Sequence, residues 1–283
     1  MTKEEVNMVL DEVYKLNNGQ RIPKVALGTW QTPNDVAATA VAAAIDAGFK
    51  HIDTAIAYGN EQGVGEGIKR GLQMTGMHRE SIFVTSKIPA EVKSYDETVR
   101  NIQESIDRLD SYHVDLMLIH APKPWAEMGK DGPNYFDENV QVWKALEEAY
   151  FAGKFRSIGV SNFDIEDLNN IMDNADVKPA VNQIRVHIGH VPFDLIEFCQ
   201  QNGILVEAYS PNATGRLMQV PEVVEMAEKY GVSVPQLASR FDLQLGLLPL
   251  PKSIHEERIR QNADLDFEIS PFDMAELLQI EGI

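Results

Sequence analysis

Several residues that can exchange protons stand at or near the ends of three consecutive apolar runs of the sequence. Asp53 lies in the first run and is soon followed by Tyr58, Lys87 follows the second run, and His120 follows the third. A phenol, whose pKa is ordinarily about 10, is a poor proton donor at neutral pH, but a nearby ammonium favours the phenolate and lowers that pKa. Lys87 would act in this way on Tyr58, with an ionised Asp53 holding the lysine charged and oriented. A neutral His120 would hydrogen-bond a substrate oxygen, so the set suits the protonation of a developing alkoxide.

Eight short apolar runs rich in β-branched residues predict the buried strands that would carry these groups. The runs are residues 25–27, 51–55, 82–85, 114–119, 157–160, 180–183, 205–209 and 247–250. Between them lie segments with helical periodicity, among them one in which Val99, Ile102 and Ile106 share a face. The other segments are 36–47, 140–152, 165–175, 193–202 and 235–245. This alternation favours a closed (β/α)8 TIM barrel over a doubly wound open sheet, which would give a similar pattern.

The carboxyl ends of the strands share one rim of such a barrel, so Asp53, Tyr58, Lys87 and His120 are expected to converge there. Before the first strand, an Asn-Gly pair lies between two apolar segments and predicts a short N-terminal β-hairpin. No linker, internal repeat or break in composition divides the sequence. We therefore predict an α/β fold with residues 1–283 as a single domain, in which about 1–12 form an N-terminal extension and about 13–24 the hairpin.

The composition is strongly acidic, since 43 Asp and Glu residues against 25 Lys and Arg residues give a net charge of −18. A charge of this size repels phosphate backbones and anionic lipid surfaces, so neither nucleic acid nor a membrane is an expected partner. Cys199 is the single cysteine, which excludes an intramolecular disulfide, and we expect it to be buried. No apolar run reaches the roughly 18 residues that span a bilayer, and the first residues lack the apolar region of a signal peptide. We expect a cytoplasmic protein, monomeric by default or a weak homo-oligomer.

Nine short motifs occur in an order that is informative as a whole. Around the four proton-transfer candidates they are HIDTA at 51–55, YGNE at 58–61, TSK at 85–87 and LIH at 118–120. The others are GTW at 28–30, GVSNF at 159–163, NQ at 182–183, AYSP at 208–211 and PKS at 251–253. Together they resemble the aldo-keto reductases, chiefly the bacterial 2,5-diketo-D-gluconate reductase-like branch. The resemblance implies a (β/α)8 barrel that reduces aldehydes or ketones to alcohols with NADPH, without a Rossmann domain.

The resemblance also implies roles for individual residues. The catalytic tetrad of the family falls on Asp53, Tyr58, Lys87 and His120, with Tyr58 as the general acid. Cofactor-binding positions fall on Gly28, Thr29, Ser161, Asn162, Gln183, Tyr209, Ser210, Lys252, Ser253, Arg258 and Asn262. Substrate would meet Tyr58 and His120, and Trp30 matches a position in the wall of the substrate pocket.

The two ends of the cofactor would meet side chains of different chemistry. The nicotinamide end would meet amides, a hydroxyl and a stacking ring, supplied by Ser161, Asn162, Gln183 and Tyr209. At the other end, Arg258 can pair with a 2′-phosphate next to Lys252 and Ser253, whereas NAD would leave both cations with only water. The alternative interpretation is that Lys252 and Arg258 only form the basic start of a helix. The glycine-rich segment 63–67 is interpreted as helix packing rather than as a phosphate-binding loop.

Three segments depart from the family pattern, and one of them, residues 210–217, replaces a Ser-Pro-Leu-Gly sequence, so the loop over the pyrophosphate is expected to close differently. Ala121 stands where the family has a tryptophan beside the catalytic histidine, so the pocket is expected to be wider or filled by Trp125, which we include among the substrate-binding candidates. Arg185 stands where the family has an acid. His187 and His190 have a spacing that could ligate a metal, but a third ligand is missing and we predict no metal site.

The complete tetrad leads to a functional hypothesis. The sequence predicts an NADPH-dependent oxidoreductase of a bacterial type that reduces small aldehydes, dicarbonyls or keto sugars such as diketo-gluconate. Hydride transfer to the carbonyl carbon would accompany protonation by Tyr58. The alternative is a regulatory or sensor barrel that binds NADPH with weak or incidental turnover, and the altered segments motivate it.

Overall fold

Eight parallel strands form the centre of the structure, a computed structural model that describes residues 8–111 and 113–283. They are β3 (Leu27–Gly28), β4 (His51–Asp53), β5 (Phe83–Ile88), β6 (Val114–Ile119), β7 (Phe155–Ser161), β8 (Val181–Arg185), β9 (Leu205–Tyr209) and β10 (Leu248–Leu250). Hydrogen-bonded neighbours follow chain order from β3 to β10. Backbone hydrogen bonds from Ala26 to Pro249 and from Gly28 to Pro251 then join the first strand to the last. The sheet is a nearly closed (β/α)8 barrel, as predicted, and the open-sheet alternative is wrong.

Helices alternate with these strands in the described part of the chain. They are α1 (Asn34–Asp46), α2 (Glu61–Thr75), α3 (Tyr95–Arg108), α4 (Phe136–Phe151), α5 (Ile165–Asn174), α6 (Phe193–Gln201), α7 (Pro221–Tyr230), α8 (Val234–Gln244), α9 (Glu256–Ala263) and α10 (Pro271–Leu277). The six helices predicted from periodicity correspond to α1, α3, α4, α5, α6 and α8, with ends displaced by a few residues. The sequence pattern predicts only the start of α2 and α9 and misses α7 and α10.

Glycines in α2 let that helix pack unusually close to α1. A Cβ atom added to Gly63 would lie 2.0 Å from the backbone oxygen of Asn34, and one added to Gly67 would lie 2.7 Å from that of Ala38. Contacts this short are possible only without a side chain. The packing interpretation of the glycine-rich segment is confirmed. The same glycines interrupt the apolar stripe of α2, which explains why periodicity indicates only its start.

The predicted hairpin closes the amino-terminal end of the barrel. Strands β1 (Val13–Lys15) and β2 (Arg21–Pro23) pair antiparallel, as the Asn-Gly signal predicts. Leu16 and Ile22 are buried in a cluster with residues of the barrel interior. The side-chain amide of Asn17 donates to the Pro179 carbonyl at 2.8 Å, which fixes the hairpin to the barrel. Of the predicted extension 1–12, residues 1–7 lie outside the described residues, and Val9–Asp11 form a short 3-10 helix.

The buried apolar residues form three clusters. The largest fills the layer between the strands and the surrounding helices and contains Cys199, whose burial is confirmed and raises the pKa of its thiol to about 11. A second lies among α7, α8 and α10, and the third lies inside the barrel. Within residues 8–111 and 113–283, no helix is long and apolar enough to cross a membrane.

Asp242 on α8 is a buried polar group without a side-chain hydrogen-bond partner among the described residues. Its side chain is completely buried on α8, and neither carboxylate oxygen has a hydrogen-bond partner within the described residues. Burial raises the pKa of this carboxyl well above its usual value. A carboxyl that is protonated in the folded state and ionised in the unfolded state favours unfolding progressively as the pH rises above the pKa of the unfolded chain.

Asp242→Leu should therefore increase the free energy of unfolding, by about 1–3 kcal/mol for the removed unsatisfied group and by more at pH 8 than at pH 5. Urea unfolding at the two pH values measures the difference. Asp273 provides a control of opposite sign, because hydrogen bonds from Lys229 and Tyr230 lower its pKa to about 2. Asp273→Asn should lower stability at both pH values. A gain from Asp242→Leu that shrinks from pH 5 to pH 8 would contradict this account.

Candidate active site

Lys87 is the centre of a hydrogen-bond network at the carboxyl-end rim of the barrel. Its side chain is fully buried on β5, and its Nζ donates to Asp53 Oδ1 at 2.7 Å and Oδ2 at 2.8 Å. The same ammonium donates to the Thr54 carbonyl at 2.9 Å and to Tyr58 Oη at 3.4 Å. Burial opposes the charge, but Asp53 and then Tyr58 raise the pKa of Lys87 above its ordinary value. The structure thus brings three of the four predicted tetrad members into direct contact.

The backbone after β4 places Tyr58 over this network. A short 3-10 helix, Ile56–Tyr58, follows the strand and ends at Gly59, whose φ of +67° favours glycine. Asn60 then fixes the segment, because its Oδ1 accepts from the Thr54 hydroxyl at 2.8 Å and its Nδ2 donates to the carbonyls of Thr29 and Thr32. These bonds anchor the loop that carries Tyr58.

His120 completes the set from the end of β6. Its ring lies 5.5 Å from the Tyr58 ring, measured between centroids, in an edge-to-face arrangement. Burial, together with the charge of Lys87, lowers the pKa of His120 to about 3. The imidazole is therefore neutral at physiological pH, which agrees with the role expected from the sequence. Its Nδ1 is buried and has no hydrogen-bond partner in the part of the chain that the structure describes.

The expected lowering of the Tyr58 pKa is wrong for the protein without bound ligands. Burial raises the pKa of this phenol, Lys87 lowers it by less, and the Asp53 carboxylate raises it further. Burial of the phenol outweighs the attraction of the Lys87 ammonium, which Asp53 partly offsets. Tyr58 consequently keeps its proton in the resting site.

A cavity of about 730 Å³ opens above these residues. The predicted residues that line it are Gly28, Trp30, Asp53, Tyr58, His120, Trp125, Ser161, Asn162, Gln183, Tyr209, Ser210 and Lys252. Lys87 lies beneath it. The predicted residues outside its lining are Thr29, Ser253, Arg258 and Asn262. Thr29 instead donates its hydroxyl to the Asp53 carbonyl at 2.9 Å, so its direct contribution is to hold the end of β4.

The amide and hydroxyl groups predicted for the nicotinamide end are connected to one another. Ser161 Oγ donates to the Gln183 carbonyl at 2.9 Å, and Asn162 Nδ2 donates to the His120 carbonyl at 3.0 Å. Tyr209 Oη donates to Asn162 Oδ1 at 2.8 Å. These bonds place side chains from three neighbouring strands along one wall of the cavity.

Backbone strain is concentrated around the cavity. Among its lining residues, Gln31, Asn162, Ser210 and Thr214 adopt left-handed backbone angles although none is glycine. Such conformations carry a cost and are typical of functional sites. Asn162 and Ser210 directly follow β7 and β9, so this conformation turns the chain where these strands end.

Two exposed tryptophans form part of the wall around His120. The Trp125 ring lies 5.2 Å from the His120 ring, edge to face, and 43% of Trp125 remains exposed. Trp125 therefore packs against the catalytic candidate His120 and lines the cavity, as expected from the sequence. Trp30, which is 49% exposed, also lines the cavity. Arg185, which stands where the family has an acid, lines the cavity as well.

Two cations predicted for the adenosine end are available for an anion. Within the described residues, no carboxylate lies within 4.0 Å of the charged nitrogens of Lys252 or Arg258. Arg260 differs, because it pairs with Asp46 at 2.6 Å and with Glu256 at 3.0 Å on the surface of α9. Lys252 lines the cavity and Arg258 lies outside its lining, and in a protein of such negative charge unpaired cations are suited to a phosphate.

The described residues contain no group of three or more His, Cys, Asp or Glu side chains arranged to hold a metal ion. His187 and His190 form an isolated backbone bridge, and the Nδ1 atom of His187 lies 2.8 Å from the Ile188 carbonyl. This bond engages one of the ring nitrogens that a metal would need.

Sequence reasoning missed Glu207 and named no individual site residue in the altered loop after Ser210. Glu207 is fully buried on β9 and contacts Gln183, and Asn212, Thr214, Gly215 and Met218 line the cavity. The available signal for Glu207 was a carboxyl two residues before Tyr209 within an apolar strand, since alternate residues face the same side. For the loop after Ser210, the signal in the sequence was only its difference from the family pattern.

Known proteins resemble this chain along almost its whole length. A model of the Aldo/keto reductase family matches residues 24–282. A glyoxal reductase of Bacillus subtilis is 42% identical over 267 residues, which cover 94% of this chain and 91% of that protein. A 9,11-endoperoxide prostaglandin H2 reductase of Trypanosoma cruzi is 35% identical, covering 93% of this chain and 89% of that protein.

Solved structures agree with this similarity. An aldo-keto reductase of Bombyx mori in complex with NADP has a TM-score of 0.86 and 35% identity, covering 95% of this chain and 92% of that one. An aldo/keto reductase of Brucella melitensis also has a TM-score of 0.86 with 35% identity, covering 95% and 99% of the two chains.

Lys87→Met should destabilise the fold by about 3–5 kcal/mol, because it leaves the Asp53 carboxylate buried without its cation. Adding Asp53→Asn should recover part of this loss by removing the uncompensated charge. Chemical denaturation of the single and double variants measures both effects. Lys69→Met, which removes an exposed pair with Asp110, serves as the control and should leave stability unchanged. Equal stability of the wild type and Lys87→Met would refute the dependence of this rim on the ion pair.

Proposed function

The chain belongs to the aldo/keto reductase family, and we propose that it reduces small aldehydes and dicarbonyl compounds with NADPH, with Tyr58 as the proton donor. The family and its reductase relatives make the protein an NADP-dependent oxidoreductase that acts on carbonyl groups. The observation that carries the finer proposal is the contact of Lys87 with both Asp53 and Tyr58 directly beneath the cavity. A complete proton-transfer network favours turnover over the alternative of a sensor barrel.

The hydrogen bonds of Lys87 support one orientation of the Tyr58 hydroxyl hydrogen, towards the cavity. The ammonium donates to Asp53, to the Thr54 carbonyl and to Tyr58 Oη, so the phenol oxygen accepts from below. The phenol's own hydrogen is left to point towards a substrate oxygen in the cavity. His120, being neutral, has a ring N–H with which it can hydrogen-bond the same oxygen.

The chemical step then follows from where charge develops. When bound, NADPH would supply a hydride to the carbonyl carbon, so that negative charge would develop on the substrate oxygen. Tyr58 gives its proton to that oxygen, and the Lys87 ammonium stabilises the phenolate that remains. The raised pKa of Tyr58 keeps the donor protonated before the reaction begins.

The residues present suit a nicotinamide dinucleotide with a 2′-phosphate. Ser161, Asn162 and Gln183 offer donors and acceptors for a carboxamide, and Tyr209 offers a ring for stacking. Asn212 Oδ1 is buried on the cavity wall without a partner in the described chain, which suits a site that a polar ligand completes. The NADP complex of the Bombyx mori relative supports the same cofactor class.

The proposed substrates are small carbonyl compounds, first of all dicarbonyls. The name of the 42% identical relative specifies glyoxal. The aromatic surfaces of Trp30 and Trp125 suit the planar carbonyl group, and Arg185 is a cation that a keto sugar acid such as diketo-gluconate would meet. Diketo-gluconate, the substrate that names the 2,5-diketo-D-gluconate reductase-like branch, therefore remains among the proposed substrates.

Tyr58→Phe should lower carbonyl-dependent oxidation of NADPH by about 100-fold or more, the usual contribution of a general acid, while NADPH still binds. Absorbance of the reduced nicotinamide with glyoxal, methylglyoxal, glyceraldehyde and a diketo acid measures turnover, and tryptophan fluorescence measures binding. Tyr135→Phe, which removes the hydroxyl bonded to Glu127, is the matched control and should keep full activity. Binding of NADPH with no Tyr58-dependent turnover of any substrate would favour the sensor alternative.

Arg258→Met should weaken NADPH binding about tenfold or more and leave NADH binding unchanged, because a charged hydrogen bond to the 2′-phosphate is lost. Dissociation constants for both cofactors, measured by titration calorimetry, test this expectation. Arg260→Met removes a cation of the same helix that is already paired with Asp46 and Glu256, so it should affect neither constant. Equal losses for NADPH and NADH would place Arg258 outside the phosphate site.

A further inference from the structure

We propose that Glu207 is a positioning residue which, together with Asp53, holds the side-chain amide of Gln183 with its oxygen open to the cavity, where it can accept a hydrogen bond from the primary amide of the cofactor. This inference rests on the proposed function, because it assigns the cofactor's amide to that wall of the cavity. It adds a residue that touches neither substrate nor cofactor and acts through Gln183.

The barrel places Glu207 directly beside Gln183. The two residues are register partners on the neighbouring parallel strands β9 and β8. Glu207 is completely buried, and its Oε2 accepts from Gln183 Nε2 at 2.6 Å. Gln183 Nε2 also donates to Asp53 Oδ2 at 2.9 Å. A continuous chain of hydrogen bonds therefore runs from Glu207 through Gln183 and Asp53 to Lys87.

Two carboxyl groups determine which way round the amide lies. An amide nitrogen carries two hydrogens and its oxygen carries none, so the Asp53 carboxylate requires the nitrogen end, which has a second hydrogen for Glu207. The oxygen must then be at the opposite end. In the described chain no group donates to Gln183 Oε1, and this atom is not among the buried polar atoms without partners. Because Gln183 lines the cavity, this oxygen is the end of the amide open to it.

The charge balance permits a second carboxyl so close to Asp53. Burial, followed by the charge of Asp53, raises the pKa of Glu207 to about 8, although the Gln183 hydrogen bond and Lys87 lower it. Glu207 is therefore mostly protonated at neutral pH. Its Oε2 still accepts from Gln183 in that form, and its buried Oε1, which has no partner in the described chain, is the atom that can carry the proton.

Packing alone does not account for a carboxyl at this position. A buried oxygen without a partner opposes folding, and a leucine of similar volume would bury apolar surface instead. The contribution that a leucine could not make is the hydrogen bond to Gln183. Loss of that bond leaves Asp53 as the single partner of the amide nitrogen and allows the amide to rotate.

The test compares Glu207→Leu with Glu207→Gln. The leucine variant should bind NADP+ about three to ten times more weakly, in line with the loss of one hydrogen bond, without a loss of thermal stability. The glutamine variant should stay within twofold of the wild type, because its amide oxygen accepts the same bond. Adenosine 2′,5′-bisphosphate, which has no nicotinamide, should bind equally to all three proteins. Titration calorimetry gives these constants, and thermal unfolding gives the stability.

Two further variants make the test specific. In a Gln183→Leu background, Glu207→Leu should produce no additional loss of NADP+ affinity, because the amide through which it acts is gone. Asp242→Leu replaces a buried carboxyl that shares no hydrogen bond with this network and should leave both ligands unaffected. If Glu207→Leu does not fold, Glu207→Ala removes the same acceptor with less added volume and takes its place.

Several results would overturn the inference. They are an NADP+ affinity within twofold of the wild type for the leucine variant, an equal loss for adenosine 2′,5′-bisphosphate, or an undiminished loss in the Gln183→Leu background. Failure of the proposed function has different signatures, since the wild type itself would then not bind NADP+, or would bind it without Tyr58-dependent turnover of any substrate.

Discussion

The buried ion pair between Lys87 and Asp53 is the interaction on which the candidate site depends. An ammonium with no exposed surface is tolerable only if each of its hydrogens has an acceptor. Asp53, the Thr54 carbonyl and Tyr58 Oη supply those acceptors. The pair therefore fixes the ends of two strands relative to each other and holds a phenol from the loop above. Removal of one partner would leave a charge that the barrel cannot solvate.

The barrel makes this pair possible by its simple order of strands. β4, β5 and β6 are neighbours in the chain and in the sheet, so groups at their carboxyl ends meet without any long-range crossing. β8 and β9 approach from the other side, where Gln183 on β8 donates to Asp53 Oδ2 and to Glu207 on β9. One carboxylate thus connects both halves of the barrel. The cavity lies above it because the same strand ends diverge into loops there.

Local sequence signals predicted much of this arrangement, and the remainder depended on contacts between distant segments. Apolar runs gave the eight strands, and the positions at their ends gave the tetrad. α2 was indicated only at its start because Gly63 and Gly67 interrupt its apolar face to fit against α1. The direction of the Tyr58 pKa depends on burial and on Asp53 competing for the charge of Lys87, which spacing does not reveal. Glu207 matters through its register with Gln183, which only the folded sheet defines.

The balance of charge beneath the cavity explains why a phenol of raised pKa can still act as an acid. Lys87 and Asp53 cancel, while His120 and Glu207 are mainly neutral at physiological pH, so the resting site carries almost no net charge. A phenolate formed without a partner would be costly in such a dry place. Negative charge that develops on a substrate oxygen changes that balance. This oxygen becomes a stronger base than any group of the resting site, so the proton of Tyr58 moves to it. Proton transfer is thereby tied to the arrival of hydride, and the raised pKa of Tyr58 prevents its proton from leaving earlier.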